Sequence, residues 1–64
     1  MKTLDLITTE ELAEMCHVQP NTVRYWRHVN QGPKHFKVGG KRVFYRREDV
    51  EDWLLDQYAE ANPT

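Results

Sequence analysis

The apolar positions at the start of the chain recur at helical intervals. Leu12 and Cys16 stand four residues apart, and Thr8 and Glu11 have the spacing of a capping box. Acidic residues in a first helical turn also interact favourably with the helix dipole. The pattern predicts a first helix at about residues 9–16.

A second helical stretch begins after a short break. Pro20 suits the first position of a helix, where its missing N–H group removes no hydrogen bond. Val23, Trp26 and Arg27 mark the side expected to face the core, and a Gln-Gly-Pro sequence stops the helix. We expect this helix at about residues 20–29.

The apolar spacing then becomes alternating, which predicts a two-stranded β-hairpin, or wing, at about residues 35–46. Gly39-Gly40 can supply the positive φ angles of its turn. The face expected to meet the core contains Phe36, Val38, Val43 and Tyr45, and the face expected to point away contains Arg42, Phe44 and Arg46.

Helical spacing returns near the end of the chain and predicts a third helix at about residues 48–59. Its buried side is expected to contain Val50, Trp53, Leu54 and Tyr58. The order helix, turn, helix, hairpin, helix makes residues 1–64 a single domain, mainly α with a small β-hairpin. This is the architecture of a winged helix-turn-helix.

The first two helices carry the anchor residues that a helix-turn-helix needs to hold its second helix toward the major groove of DNA. Ala13 is the small residue at the close approach of the two helices, and His17 occupies the turn position where glycine is usual. The apolar anchors are Leu12, Cys16, Val18, Val23 and Trp26.

Length and cysteine content limit the class of protein. With 64 residues the chain lies near the lower limit for one self-supporting core. Its single cysteine, Cys16, cannot form an internal disulfide, and no stretch has the length of a membrane span, so we expect a soluble, cytoplasmic protein. No cofactor is expected, because His17, His28 and His35 lack the spacing of paired zinc ligands.

The net charge of −1 conceals a strong separation of charge along the chain. Residues 1–14 carry −3, residues 15–47 carry +8 without an acidic residue, and residues 48–64 carry −6 without a basic one. Such a basic stretch favours contact with a polyanion such as double-stranded DNA. The alternative is a solvated basic surface without a partner.

Three segments together resemble the excisionase family. They are Thr8-Thr9-Glu10-Glu11-Leu12-Ala13, Val18-Gln19-Pro20-Asn21-Thr22-Val23-Arg24-Tyr25-Trp26, and the wing with its following helix from Phe36 to Leu54. Members are small winged-helix proteins of phages and integrative elements, related to the DNA-binding domain of mercury-resistance-type regulators. The resemblance covers about residues 6–55. This chain departs from the family at Gln19, where Ser is usual, and at Phe44, where a polar or basic residue is usual.

The resemblance implies a role in site-specific recombination. Such proteins bind beside an attachment site, bend the DNA, and direct an integrase, of the tyrosine or the serine type, toward prophage excision in a bacterial host. Some relatives regulate transcription instead. The charge separation adds the expectation that copies on tandem sites associate head to tail, the basic wing of one beside the acidic last helix of the next.

The outward side of the second helix supplies the first candidate DNA contacts. Arg24 can reach a guanine edge or a phosphate, and Thr22 and Tyr25 suit phosphate oxygens. Tyr25 could instead be a core residue. The candidates on this helix are Asn21, Thr22, Arg24, Tyr25, Arg27 and His28.

The wing supplies the second set, which contains Lys37, Lys41, Arg42, Phe44 and Arg46. Lys41 and Arg42 lie at the turn, where basic side chains can enter a minor groove or hold its phosphates. Lys34 and Lys37 are at most supporting phosphate contacts. Phe44 can insert at DNA, contact a neighbouring protein, or pack against Trp53 or the loop.

The carboxylates of the chain lie at ordinary surface spacings, without a nucleophile or base arranged beside them. The chain is also too short to form a substrate pocket, so neither an enzyme nor a small-molecule binder is expected. Two alternatives to an excisionase stay open. One is a transcription regulator of the same fold, and the other is a protein-interaction module that uses Phe44 and the acidic last helix.

Overall fold

The computed structural model describes residues 4–62, so the first three and last two residues of the predicted 1–64 domain lie outside the described residues. In chain order the described elements are β1 (Leu6–Thr8), α1 (Thr9–Cys16), α2 (Pro20–His28), β2 (Phe36–Val38), β3 (Arg42–Arg46) and α3 (Arg47–Ala61). The structure confirms the winged helix-turn-helix fold, with a sheet of three strands in place of two. Within residues 4–62, no helix is both long enough and apolar enough to cross a membrane.

Helix α1 begins with the capping box that its sequence predicts. The Thr8 Oγ1 accepts a hydrogen bond from the Glu11 N–H at 3.1 Å, and the Glu11 carboxylate accepts one from the Thr8 N–H at 2.9 Å. The helix ends at His17, which has a left-handed conformation with φ 58°. The Val18 N–H then donates to the Ala13 carbonyl at 2.9 Å, which fixes the turn into α2.

Helix α2 has a proline in its first turn but lacks a side-chain cap. Gln19 is its N-cap residue, and the Gln19 side chain makes no capping hydrogen bond. After the helix, Asn30 and Gly32 have positive φ angles of 63° and 86°. A Cβ atom on Gly32 would lie 3.4 Å from the Cβ of Trp26, so the loop passes close to the helix.

The sheet has the strand order β1-β3-β2, and both pairings are antiparallel. Strand β1 pairs with β3 so that Ile7 lies opposite Tyr45. Both of these side chains are fully buried, so the inner face of the sheet forms one wall of the core. The wing is therefore joined to the body by a third strand, which the sequence pattern does not predict.

The register of β2 differs from the prediction for two apolar residues. Phe36 lies opposite Phe44 and Val38 opposite Arg42, and directly opposed residues of an antiparallel pair share one face. Phe36 and Val38 are therefore on the outer face, where both are exposed, and the prediction that they face the core is wrong. Three residues, 39–41, connect the two strands and set this register. The predicted faces would have required a connection with an even number of residues.

The core lies between the inner face of the sheet and the three helices. Its fully buried hydrophobic residues are Ile7, Leu12, Ala13, Val23, Tyr45 and Val50, and the partly buried residues packed against them are Met15, Cys16, Val18, Trp26, Val43 and Leu54. These two groups contain every anchor residue predicted for the helix-turn-helix. Burial raises the pKa of the Cys16 thiol, in keeping with its place in the core.

Helix α3 buries only the first part of its predicted stripe. Val50 is buried, and the Trp53 ring packs against that of Trp26 with centroids 5.3 Å apart. Tyr58 is 70% exposed, so the prediction that it belongs to the core is wrong. Every residue from 55 to 62 is exposed, because the 15-residue helix extends past the small core.

Candidate nucleic-acid interface

Four side chains of α2 form one exposed face. Asn21, Arg24, Tyr25 and His28 have the spacing i, i+3, i+4 and i+7, which places them on one side of the helix. Tyr25 is 60% exposed, which decides against a place in the core. Thr22 lies at the edge of this face and is partly buried. The face contains hydrogen-bond donors, acceptors and an aromatic ring, and it lies opposite the buried side of α2.

The Arg24 guanidinium on this face is held by two neighbours. Its Nη1 donates to the Oδ1 of Asn21, and its Nη2 donates to the Oε2 of Glu10, each at 3.0 Å. Glu10 lies in the first turn of α1, so this ion pair joins the two helices of the motif. Three of the five guanidinium N–H groups are not used in these two bonds. The sequence pattern does not indicate Glu10, because the partners are 14 positions apart.

Arg27 points toward the core instead of the exposed face of α2. Its Nη1 donates to the Thr9 Oγ1 at 2.8 Å and to the Tyr45 Oη at 3.0 Å. Both acceptor residues are buried, so Arg27 supplies a hydrogen-bond donor to polar groups at the edge of the core. This agrees with its predicted place on the inward stripe and separates it from the other α2 candidates.

Two exposed basic residues, Lys41 and Arg42, lie at the turn of the wing, and the exposed Lys37 lies within β2, opposite Val43. The Arg42 guanidinium carbon lies 5.4 Å from the centroid of the Phe44 ring, in a cation–π contact on the outer face of the sheet. Phe44 is partly buried and lies opposite Phe36, so both residues lie on the outer face of the sheet. The ring of Phe44 therefore supports the position of a basic side chain beside the turn.

A shallow cleft of about 250 Å³ connects the helices with the wing. Its lining residues are Thr8, Thr9, Glu10, Arg27, Lys41, Arg42, Val43 and Phe44. Among these, Glu10 is the only acidic residue and three are basic. Because Glu10 also contacts Arg24, one continuous surface runs from the exposed face of α2 across Glu10 to the wing turn. We call this continuous surface the basic face.

Arg46 and Lys34 lie away from the basic face. Arg46 donates from Nε and Nη2 to the two carboxylate oxygens of Asp49, each at 3.0 Å. These bonds engage a guanidinium that was predicted to contact DNA. These hydrogen bonds lower the pKa of Asp49 and raise that of Arg46. Lys34 borders a depression that also contains Asp49, Asp52 and Asp56. Both residues therefore offset negative charge on α3.

A comparison with known families identifies the fold independently of these contacts. A family model described as a helix-turn-helix domain matches residues 6–58, a range that includes β1, both helices of the motif, the wing and most of α3. No curated protein and no solved structure matches the chain. Because the match covers most of its length, the chain belongs to this helix-turn-helix domain family.

Proposed function

We propose that this protein binds double-stranded DNA with sequence preference, placing α2 in the major groove and the wing turn beside an adjacent minor groove. The observation that carries the proposal is the basic face, in which the exposed side of α2 continues into Lys41 and Arg42. The major groove of B-DNA admits an α-helix and presents a distinct donor and acceptor pattern for each base pair. Basic side chains at a wing turn suit the phosphates and the negative potential of a narrow minor groove.

Each exposed residue of α2 has a role that its chemistry favours. Arg24 pairs with the O6 and N7 of a guanine, and Asn21 suits the N6 and N7 of an adenine. Thr22, Tyr25 and His28 supply donors for phosphate oxygens, which fix the register of the helix on the duplex. The wing residues Lys37, Lys41 and Arg42 contribute phosphate contacts that do not depend on sequence.

Arg27 and Arg46 stay outside the proposed contact set. The hydrogen bonds of Arg27 to Thr9 and Tyr45 hold α2 against the core, and those of Arg46 to Asp49 hold the start of α3. Moving either guanidinium onto DNA would leave its partners unsatisfied. Arg27 and Arg46 therefore help to position α2 and the start of α3, and they do not contact DNA themselves.

Methylation interference tests the proposed groove assignment. A binding sequence is selected from random duplexes, and its guanines are then methylated at N7, an atom that lies in the major groove. We expect methylation of at least one guanine to block binding of the wild-type protein. In Arg24→Ala, one such position should lose its effect, whereas the exposed α3 variant Gln57→Ala should keep the wild-type pattern. A selected site without any interfering guanine would contradict the placement of Arg24.

The biological role that we propose is that of an excisionase, which binds beside an attachment site, bends the DNA and directs an integrase toward excision. The resemblance of residues 6–55 to excisionases supports it, together with the order of helix-turn-helix, glycine-containing wing and closing helix. A reaction with integrase and attachment-site DNA tests this role. Excision should require the protein, and excision that proceeds equally without it would leave transcription regulation as the better candidate.

Copies bound at tandem sites are proposed to associate head to tail. Residues 48–64 carry −6, and α3 also exposes Leu55 and Tyr58, which lie three positions apart on one side of the helix. The wing of a neighbour offers Lys41 and Arg42 as complementary charge. We expect a monomer in free solution and cooperative binding to DNA with several sites, measured by sedimentation and gel shift. A stable dimer without DNA, or independent occupancy of the sites, would contradict this association.

A further inference from the structure

Glu10 is an acidic residue at the centre of the basic face. Its carboxylate lies 3.0 Å from the Nη2 of Arg24, and it borders the same cleft as Lys41 and Arg42. Glu10 belongs to α1, which is neither the helix nor the wing that the proposed function places on DNA. An exposed carboxylate on a phosphate-binding surface opposes association with DNA. General phosphate binding therefore does not explain why a carboxylate lies at this position.

The ion pair with Glu10 changes what Arg24 contributes to the surface. The Arg24 guanidinium is always charged. Without an acidic partner beside it, such a group can bind phosphate at any sequence. Because Glu10 carries the opposite charge, the pair of Arg24 and Glu10 adds no net charge to the surface. The bonds to Glu10 and Asn21 still leave three N–H groups of Arg24 for a ligand. Two N–H groups are sufficient for the O6 and N7 atoms of one guanine.

The bonds to Glu10 and Asn21 also fix the direction of the guanidinium. Asn21 lies on α2 itself, whereas Glu10 is anchored on α1, so the Arg24 side chain is held from two elements. Holding the group in one orientation reduces the conformational entropy lost when a base is bound. The same restraint disfavours the side-chain movement that would carry the guanidinium to a backbone phosphate.

We propose that Glu10 is a positioning residue that determines specificity by directing Arg24 to a base and away from general phosphate binding. This inference rests on the proposed DNA binding and deepens it. Loss of the Glu10 charge releases Arg24, so binding to random DNA becomes tighter while preference for the best site declines.

The variant Glu10→Gln tests the proposal, since it removes the charge and leaves at most a weaker, neutral hydrogen bond to hold Arg24. We expect the affinity for random duplex DNA to increase roughly threefold at moderate salt, and the slope of log affinity against log salt to become steeper by about 0.9, as for one added phosphate contact. The ratio of best-site to random-site affinity should fall. Glu14→Gln is the matched control, because it removes the same charge from α1 and Glu14 has no ion pair within the described residues 4–62.

A double-mutant cycle with Arg24→Ala shows whether Glu10 acts through Arg24. In the Arg24→Ala background, Glu10→Gln should leave the specificity ratio unchanged. The proposal is overturned if Glu10→Gln lowers the ratio no more than Glu14→Gln does, or lowers it equally without Arg24. Failure of the proposed function has a different signature, in which the wild-type protein itself does not distinguish the selected duplex from random DNA. Thermal melting of each variant confirms that it is folded.

Discussion

At the scale of single residues, the arginines of residues 15–47 differ in the contacts that they make. Arg27 satisfies two buried hydroxyl groups, and Arg46 makes a two-point contact with Asp49. The Nε of Arg47 donates to the Oδ2 of Asp5 at 2.6 Å, which ties the start of α3 to the chain segment before β1. Arg24 lies on the exposed face of α2, where a ligand can reach it.

Removal of the Arg24 side chain is expected to weaken binding to the best DNA site by about 1–3 kcal/mol and to relax discrimination at one base pair. The physical reason is the loss of a two-point contact to a guanine. Fluorescence anisotropy with the selected duplex and its single-base variants measures both effects. Lys41→Ala is the comparison, because loss of a phosphate contact should weaken all sequences about equally. If Arg24→Ala binds the selected duplex as tightly as the wild type, α2 is not the reading helix.

The ion pair of Arg46 and Asp49 should make stability depend on pH in the acidic range. The hydrogen bonds from Arg46 lower the pKa of Asp49 in the folded state, so the stabilising contribution is present above the ordinary aspartate pKa of about 4. It is lost as the pH falls through the lower folded value. In thermal melts at decreasing pH, starting from about pH 5, the wild type should lose more stability than Asp49→Asn does. Parallel pH profiles of the two proteins would rule out this contribution.

At the scale of elements, the two helices of the motif differ in their N-terminal caps. Helix α1 has a complete capping box, whereas the Gln19 side chain leaves α2 uncapped. Gln19→Ser should therefore stabilise the protein by about 0.5–1 kcal/mol, since a serine hydroxyl can accept a hydrogen bond from a free N–H group of the first turn. Urea unfolding measures the change. The same exchange within the exposed part of α3, Gln57→Ser, should give no gain, and an equal gain there would show that capping is not the cause.

Elements whose signals are local in the sequence could be predicted, and those that depend on distant partners could not. The capping box of α1 involves residues three positions apart, so its start is readable from the sequence. The partner of β1 is β3, more than thirty residues away, and its three residues carry too short a pattern to predict a strand. Likewise, helical spacing predicts an apolar stripe through Tyr58 but does not show where the core ends.

The candidate site shows the same division. The exposed face of α2 follows from the helical spacing of its buried residues, so Asn21, Arg24, Tyr25 and His28 could be chosen from the sequence. The faces of β2 depend on the length of one turn, and a difference of one residue moved Phe36 to the outside. Glu10 could not be assigned to the site, because its contact with Arg24 exists only after α1 and α2 pack together.

At the scale of the whole molecule, one small core supports every surface that the proposed function uses. Leu12 is fully buried within it, so Leu12→Ala should cost about 2–5 kcal/mol, which approaches the total stability expected of so small a domain. Leu55→Ala is the matched control at a position that is 66% exposed, where we expect a change within about 0.5 kcal/mol. Chemical denaturation of both variants gives the comparison. Similar losses at the two positions would mean that the distal part of α3 is also packed.

The separation of charge predicts how the molecule lies relative to DNA. The basic face combines α2 and the wing turn, while Asp49, Asp52 and Asp56 of α3 border the depression that contains Lys34. An acidic surface beside a duplex would be repelled, so α3 should lie on the side away from the DNA or toward a neighbouring copy. The low net charge of the chain is therefore compatible with binding to a polyanion.

Salt-titrated anisotropy of the wild-type protein, on its selected duplex and on a scrambled duplex of equal length, tests whether the basic face binds DNA with sequence preference. The logarithm of the affinity for both duplexes should fall linearly with log salt concentration, because the wing neutralises phosphates at any sequence. The selected duplex should bind on the order of 10³ times more tightly at every salt concentration, because α2 reads its base pairs. Equal affinity for the two duplexes, or affinity that does not respond to salt, would contradict sequence-dependent DNA binding through the basic face.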